Sequence, residues 1–160
     1  MIVALDVDYK TEAQAAAVVF ANWASPTSSA RYTSIIQNPE PYESGQFFKR
    51  ELPCLLSVLG LIPDVLSHII IDGYVTLADG KPGLGKRLYD VVQIPVIGVG
   101  KTAFHDAKDA VSVVRNAAKP LYVTSVGLPV QDAARLIQGA HGPYRLPTMI
   151  KLADTLARAR

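Results

Sequence analysis

Hydrophobic and polar residues alternate from Ile2 to Tyr9, the period of a β-strand with unlike faces. Ala13 to Trp23 is apolar but for Gln14 and Asn22 and predicts a second strand, although its alanines would also allow a helix. Ser25-Pro26-Thr27-Ser28-Ser29 is a turn, and Arg31 to Gln37 predicts a third strand. Three strands with short connections predict an antiparallel meander. Asn38 to Gly45 is a loop in which Ser44 is the expected helix cap. Apolar residues at 47, 48, 52, 55, 56 and 59 then fit a helix over Phe47–Leu59. Past Pro63, the run Ile69-Ile70-Ile71 reads as a strand buried on both faces and ending at Asp72-Gly73. A glycine-rich loop, Asp79 to Arg87, leads to a helix ending at Val92. A further strand from Pro95 to Val99 then ends at Gly100-Lys101. Ala110–Val114 and Leu121–Ser125 flank Arg115–Pro120 as a hairpin. One helix opens at Pro129 and runs to about Gly139, and another starts at Pro147 or Thr148 and runs to Arg160.

The order is therefore three strands, helix, strand, helix, strand, hairpin and two helices. An antiparallel meander continued by a strand–helix–strand crossover is the ribonuclease H-like arrangement. The expected architecture is α/β, with a mixed central sheet flanked by helices and residues 1–160 forming a single domain. Its length suffices for a sizeable core. With 49% hydrophobic and 19% charged residues, disorder is excluded.

Charge changes this picture more than composition does. Residues 1–80 carry 4 Lys and Arg against 9 Asp and Glu, a charge of −5. Residues 81–160 carry 12 against 5, a charge of +7. Such a division fits an acidic metal cluster beside a basic surface for phosphates. The single cysteine, Cys54, excludes a disulfide framework and a cysteine zinc cluster, and is expected to pack in its helix core. A reducing, cytoplasmic setting follows by default. The start of the chain reads as a strand rather than a signal peptide, and no apolar run reaches membrane length.

Asp6 and Asp8 share one face of the first strand, where an unpaired carboxylate is costly. Asp72, at a strand end, points toward the crevice where open α/β sheets bind ligands, and Gly73 leaves room beside it. Glu51 lies among apolar neighbours on its helix, and Asp154 lies on the last helix. A cluster of Asp6, Glu51, Asp72 and Asp154 would suit Mg²⁺ or Mn²⁺, which take oxygen ligands and can activate water against a phosphodiester. The alternative for each acid is a solvated strand face, a wet helix face, a cap or an exposed helix position. Gly80 to Arg87 spells G-x-x-x-x-G-K-R, but a phosphate-binding P-loop needs Ser or Thr where Arg87 stands, so no nucleotide cofactor is expected. The three histidines show no ligand spacing and read as surface or loop residues. Tyr42, in a proline-rich loop, could stack on a base.

At these residues the chain resembles the endonuclease V family. Asp6 within Ala4-Leu5-Asp6-Val7 resembles the family's first-strand metal aspartate. Pro41-Tyr42-Glu43-Ser44-Gly45 resembles its tyrosine wedge loop, usually Pro-Tyr-Ile-Pro-Gly. Phe48-Lys49-Arg50-Glu51-Leu52-Pro53 resembles the helix with its catalytic glutamate, and Ile71-Asp72-Gly73 its second metal aspartate. Ile94 to Lys101 resembles the strand ending in its active-site lysine, and Tyr144-Arg145-Leu146-Pro147 with Asp154 its C-terminal segment. The sequence departs from the family in four places. It begins at the first strand without the family's usual preceding helical segment, and it has Glu43-Ser44 where Ile-Pro is usual in the wedge loop. It has Asp72-Gly73-Tyr74-Val75 and a different following loop in place of Asp-Gly-His-Gly and its basic loop, and it has Val126-Gly127-Leu128 in place of a Gly-His-basic turn.

The resemblance implies a ribonuclease H-like, Mg²⁺-dependent endonuclease. Such an enzyme cuts DNA or RNA one nucleotide beyond a deaminated base, chiefly inosine, on its 3′ side. It implies metal at Asp6, Asp72 and Glu51, catalysis by these three with Lys101 and Asp154, and nucleic-acid contacts at Tyr42, Gly45, Gly73, Lys101 and Arg145. A monomer is the default. The competing expectation is a nucleic-acid-binding protein that keeps the fold without efficient catalysis.

Overall fold

Every residue of the strand Ala13–Phe20 (β2) is buried, which decides between the two conformations its alanines allow. An amphipathic helix would leave one side wet. This segment is instead covered on both faces. The computed structural model describes residues 1–44, 46–77, 80–104 and 107–160. On one face, Ala13, Ala15, Ala17 and Val19 pack against Cys54, Leu55 and Val58 of the helix Phe47–Leu59 (α1). On the other, Val18 and Phe20 share a core with Met149 and Ala153 of the helix Thr148–Arg158 (α4). Small side chains let both helices approach the strand.

The remaining strands are Ile2–Tyr9 (β1), Ala30–Ile36 (β3), His68–Asp72 (β4), Val96–Gly100 (β5), Val111–Val113 (β6) and Leu121–Val126 (β7). The helices Leu84–Val92 (α2) and Val130–Gly139 (α3) complete the fold. The seven strands form one mixed sheet in the order β3-β2-β1-β4-β5-β7-β6. The meander β1-β2-β3 and the β6-β7 hairpin are antiparallel, as expected. β4 pairs parallel with both β1 and β5, so these three strands end at the same edge. Ligands bind beyond that edge in open α/β sheets.

Several expected boundaries move. Ser44 does not cap α1: Gln46 takes the N-cap position with no side-chain bond, and the chain enters through a turn in which the Gln46 N–H donates to the Glu43 carbonyl at 3.0 Å. β2 ends at Phe20 rather than Trp23. The expected loop to Arg87 is shorter, because α2 already begins at Leu84. Gly85 permits this early start: a Cβ there would meet Val75 Cγ2 at 2.7 Å. Asp79, at the head of that loop, lies outside the described residues, as do Gly45 and His105. Among the described residues no helix is long and apolar enough to cross a membrane.

The chain leaving β4 folds back across β5. The Val75 N–H donates to the Thr124 hydroxyl of β7 at 2.9 Å, passing over Gly98. A Cβ on Gly98 would sit 2.5 Å from the Gly73 carbonyl oxygen and 2.7 Å from Thr124 Oγ1. Gly98→Ala is therefore expected to destabilise by about 1–3 kcal/mol, the usual range for overpacking a closed core. A denaturant midpoint equal to wild type would show that the Gly73–Val75 segment yields freely.

Candidate active site

Register brings the first two acids together. Ala4 pairs with Ile70 in the parallel β1–β4 ladder, and two residues further along each strand stand Asp6 and Asp72. Asp6 is partly buried and accepts the Val7 N–H at 2.9 Å. Burial drives its pKa from 3.8 up to about 7; Asp72 and Asp154 raise it further, while the Val7 N–H and Lys101 oppose them. Glu51 arrives from α1, buried to 6% exposure. Burial, followed by the charges of Asp6 and Asp72, pushes its carboxyl from 4.5 up to about 8. The Tyr9 hydroxyl lies 3.5 Å from Glu51 Oε2, and the Arg50 guanidinium stacks 3.7 Å from the centre of the Tyr9 ring.

Asp154 is buried but not bare. Burial pushes its pKa up, yet the Lys151 hydrogen bond and the Arg158 and Lys151 charges hold it below the usual carboxylate value. Lys151 Nζ lies at 3.1 Å and Arg158 Nη2 at 2.7 Å from its oxygens. Lys101, one residue past β5, places its Nζ 3.6 Å from Asp72 Oδ2. Thus the field at Asp6, from β1, gathers Asp72, Asp154 and Lys101, and that at Glu51, from α1, gathers Asp6 and Asp72.

Burial and neighbouring carboxylates push up Asp6, beside Asp72 and Asp154, and Glu51, beside Asp6 and Asp72, and an oxygen donor set of this kind suits a hard divalent cation. Among the described residues, no three His, Cys, Asp or Glu side chains close into a metal cage.

The endonuclease V family profile matches residues 1–123. The endonuclease V of Pyrococcus horikoshii is 32% identical over an alignment spanning 99% of this chain and 74% of that protein. The chain belongs to the endonuclease V family. The crystal structure of Streptomyces avermitilis endonuclease V, 27% identical, superposes with a TM-score of 0.81 over 98% of this chain and 79% of that one. Ciona intestinalis endonuclease V, 18% identical, was solved in complex with a DNA containing an inosine. It shares the fold with a TM-score of 0.80 over 98% of this chain and 83% of that one. This chain is thus a member of a nuclease family, on a ribonuclease H-like fold.

Around the acids, the endonuclease V-like site acquires a pocket. Tyr42, Phe47, Phe48, Gly73, Tyr74 and Phe104 line a cavity of about 340 Å³ with Asp72 in its wall. Tyr42 is 63% exposed at its rim. Gly73 has φ +108°, a conformation L-residues rarely adopt, so the turn after Asp72 requires glycine. Glu43, which departs from the family's wedge loop, is paired with Lys49 at 3.8 Å. Tyr74, where the family has histidine, donates its hydroxyl to the Thr102 carbonyl at 2.8 Å and accepts the Phe104 N–H at 3.1 Å. It ties the segment after Lys101 to the pocket.

Arg145 does not point freely outward. Its Nη2 donates to the Lys101 and Pro120 carbonyls, joining the end of β5 to the start of β7. The P-loop-like stretch is also engaged: the Gly83 and Lys86 N–H groups donate to the Val75 carbonyl, and Lys86 pairs with Asp90. Of the histidines, His141 is exposed and hydrogen-bonds Thr148, while His68 packs edge-on against Trp23. Cys54 is buried and donates its thiol to the Arg50 carbonyl.

Two residues that build the site gave no sequence signal. Arg115, expected in an exposed hairpin turn, is 4% exposed and donates to the carbonyls of Ala140, Gly142, Tyr144 and Arg145. Gln14, inside β2, donates its amide to the carbonyls of Leu156, Ala157 and Ala159, securing the end of the helix that carries Asp154. Only an arginine or glutamine within a hydrophobic or turn-like run hints at such a role, and the hint names no partner.

Proposed function

We propose that this protein is a metal-dependent endonuclease that hydrolyses a phosphodiester near a deaminated base, inosine, in DNA or RNA. Mg²⁺ or Mn²⁺ is the cofactor in this reading. The observation that carries it is the electrostatic coupling of Asp6, Glu51, Asp72 and Asp154 beside Lys101, with an aromatic pocket opening from Asp72. Family membership and the inosine-containing DNA bound by the Ciona protein support the substrate. The alternative of a binding protein without efficient catalysis is opposed by the retention of all four acids.

Asp6 and Asp72 would hold the ion, with Glu51 as a further ligand directly or through water. The ion when bound supplies a water of lowered pKa and neutralises phosphate charge. Lys101 faces Asp72 and offsets the charge that grows on the phosphate. Asp154, already fixed by Lys151 and Arg158, orients a water at the edge of the acids. The aromatic pocket excludes water and holds the extruded base, whose backbone then lies at Asp72.

The direct test is a gel assay of inosine-containing and unmodified strands with Mg²⁺, Mn²⁺ or EDTA. Cleavage confined to inosine strands and abolished by EDTA is expected; equal cleavage of both strands would remove the inosine assignment. The pocket adds a prediction. Stacking on an aromatic contributes roughly 1–3 kcal/mol per base, so Tyr42→Ala should slow cleavage by about one to two orders of magnitude. Tyr42→Phe keeps the ring and should be milder. The loss should be greater on duplex than on single strands, where less stacking is undone. Wild-type rates for Tyr42→Ala on both would rule out the wedge role.

A further inference from the structure

A second exposed aromatic, on the loop before α4, has no role in the endonuclease reading. Tyr144 is 75% exposed, among the most exposed large side chains of the chain. An exposed tyrosine on a floppy loop would mean little, but this loop is held from beneath. The buried Arg115 guanidinium donates to the Tyr144 carbonyl at 3.0 Å and to the Gly142 carbonyl at 3.0 Å. The His141 N–H donates to the Trp23 carbonyl at 2.9 Å and the Thr148 N–H to the His141 carbonyl at 2.8 Å. The ring is thus presented on a fixed backbone, with little ordering left for a ligand to impose.

Beside the ring lies a cavity of about 410 Å³, walled by Pro143, Tyr144, Arg145, Leu146, Thr148 and Lys151. Its walls are mostly apolar, with one exposed ammonium at the mouth. Two of its residues reach the acid cluster: Arg145 bonds the Lys101 carbonyl, and Lys151 pairs with Asp154 at 3.1 Å. The cavity therefore continues the candidate active site on the side of α4, while the Tyr42 pocket opens from Asp72. Apolar walls for a base face and cations for a phosphate are the two elements of single-strand binding. Lys151, in the cavity wall and with an exposed side chain, supplies the positive charge.

We propose that the Tyr144 cavity is a second nucleotide subsite, which stacks a base flanking the target nucleotide and sets the path of the strand across the acids. The proposal rests on the endonuclease reading and extends it to a second base. Its occupant is an unmodified nucleobase with its 5′ or 3′ phosphate near Lys151. The site reads no sequence, because any base has a face to stack.

The test couples a protein change to a substrate change. Fluorescein-labelled single strands carry inosine and one abasic position, moved stepwise along the nucleotides on either side. Binding is followed by anisotropy with Ca²⁺ in place of Mg²⁺. For the wild type, one abasic position should weaken binding by about tenfold. At that same position Tyr144→Ala should respond by less than about twofold, because the contact is already gone. Tyr144→Trp should restore the wild-type response. If wild type and Tyr144→Ala lose affinity alike at every position, the subsite does not exist. Preference for inosine over adenine strands is read in the same titrations. Its absence would overturn the substrate reading while the Tyr144 coupling remains measurable on unmodified strands. Failure of the wild type to bind any strand would overturn both.

Discussion

Asp6→Asn and Asp72→Asn are each expected to lower cleavage by at least about three orders of magnitude and to raise the stability of the metal-free protein. The two effects share one cause. Charge stabilisation by a bound metal is worth several kcal/mol at the transition state, and about 1.4 kcal/mol corresponds to a decade in rate. Without metal the same carboxylates repel one another in a poorly solvated place. Asp6 is raised from 3.8 to about 7 and Glu51 from 4.5 to about 8, so the folded state binds more protons than the unfolded state between those limits. In EDTA, wild-type stability should therefore decline as pH rises from the unfolded-state values to beyond the folded-state ones, and level off above. Asp6→Asn should remove its own share of this slope and leave the share that burial imposes on Glu51. Saturating Mg²⁺ should flatten it in wild type but not in either variant. Thermal denaturation between roughly pH 5 and 8.5, with and without metal, measures the effect. Equal Mg²⁺ or Mn²⁺ affinity by calorimetry in wild type and both variants would show that the ion binds elsewhere.

The order of the elements was legible because burial on both faces writes itself as unbroken apolar runs. Ile69–Ile71 is such a run, and Ala13–Phe20 is one but for Gln14; both belong to inner strands of the sheet. What a run cannot say is whether alanines are strand or helix. β2 was settled only by the two helices that cover it, which come from residues 47–59 and 148–158. The start of α2 was missed for a related reason. Gly85 reads as loop, but it is glycine so that Val75, ten residues earlier, can pass close by.

The acids divide in the same way. Asp72 at a strand end and Asp6 in an alternating strand carry local signals. Glu51 and Asp154 do not: each fits a wet helix face on periodicity, and each is buried because a strand distant in the chain lies beneath it. Family resemblance pointed to both; spacing did not. Arg115 and Gln14 show the limit most clearly. Each is polar, each sits in a segment with its own local explanation, and each exists to bond backbone carbonyls 25 to 145 residues away. A buried polar group that satisfies the backbone of a distant loop has no sequence period.

Lys101→Ala is expected to reduce the rate of cleavage by about two to three orders of magnitude while leaving the fold unaffected. Removing a single preorganised group that faces developing negative charge typically costs that much. Lys101 is so placed: the β5 ladder aligns Asp72 with Val99, and the lysine two residues on reaches back to Asp72 at 3.6 Å. Its backbone is held by Arg145, which donates to the Lys101 carbonyl, and by the Tyr74 hydroxyl bond to the next residue. The ion pair itself contributes little stability, since both side chains are more than a third exposed and water screens them. The melting temperature of Lys101→Ala in Mg²⁺ should therefore match wild type, which separates a catalytic loss from a folding loss. In EDTA the variant should be the less stable at high pH, because Lys101 opposes the rise in the Asp6 pKa. Lys101→Arg keeps the charge but spreads it over a planar fork, so partial rescue is expected. Single-turnover cleavage with saturating protein reads the chemical step apart from binding. A rate for Lys101→Ala within about threefold of wild type would leave Lys101 as a surface partner of Asp72 and nothing more.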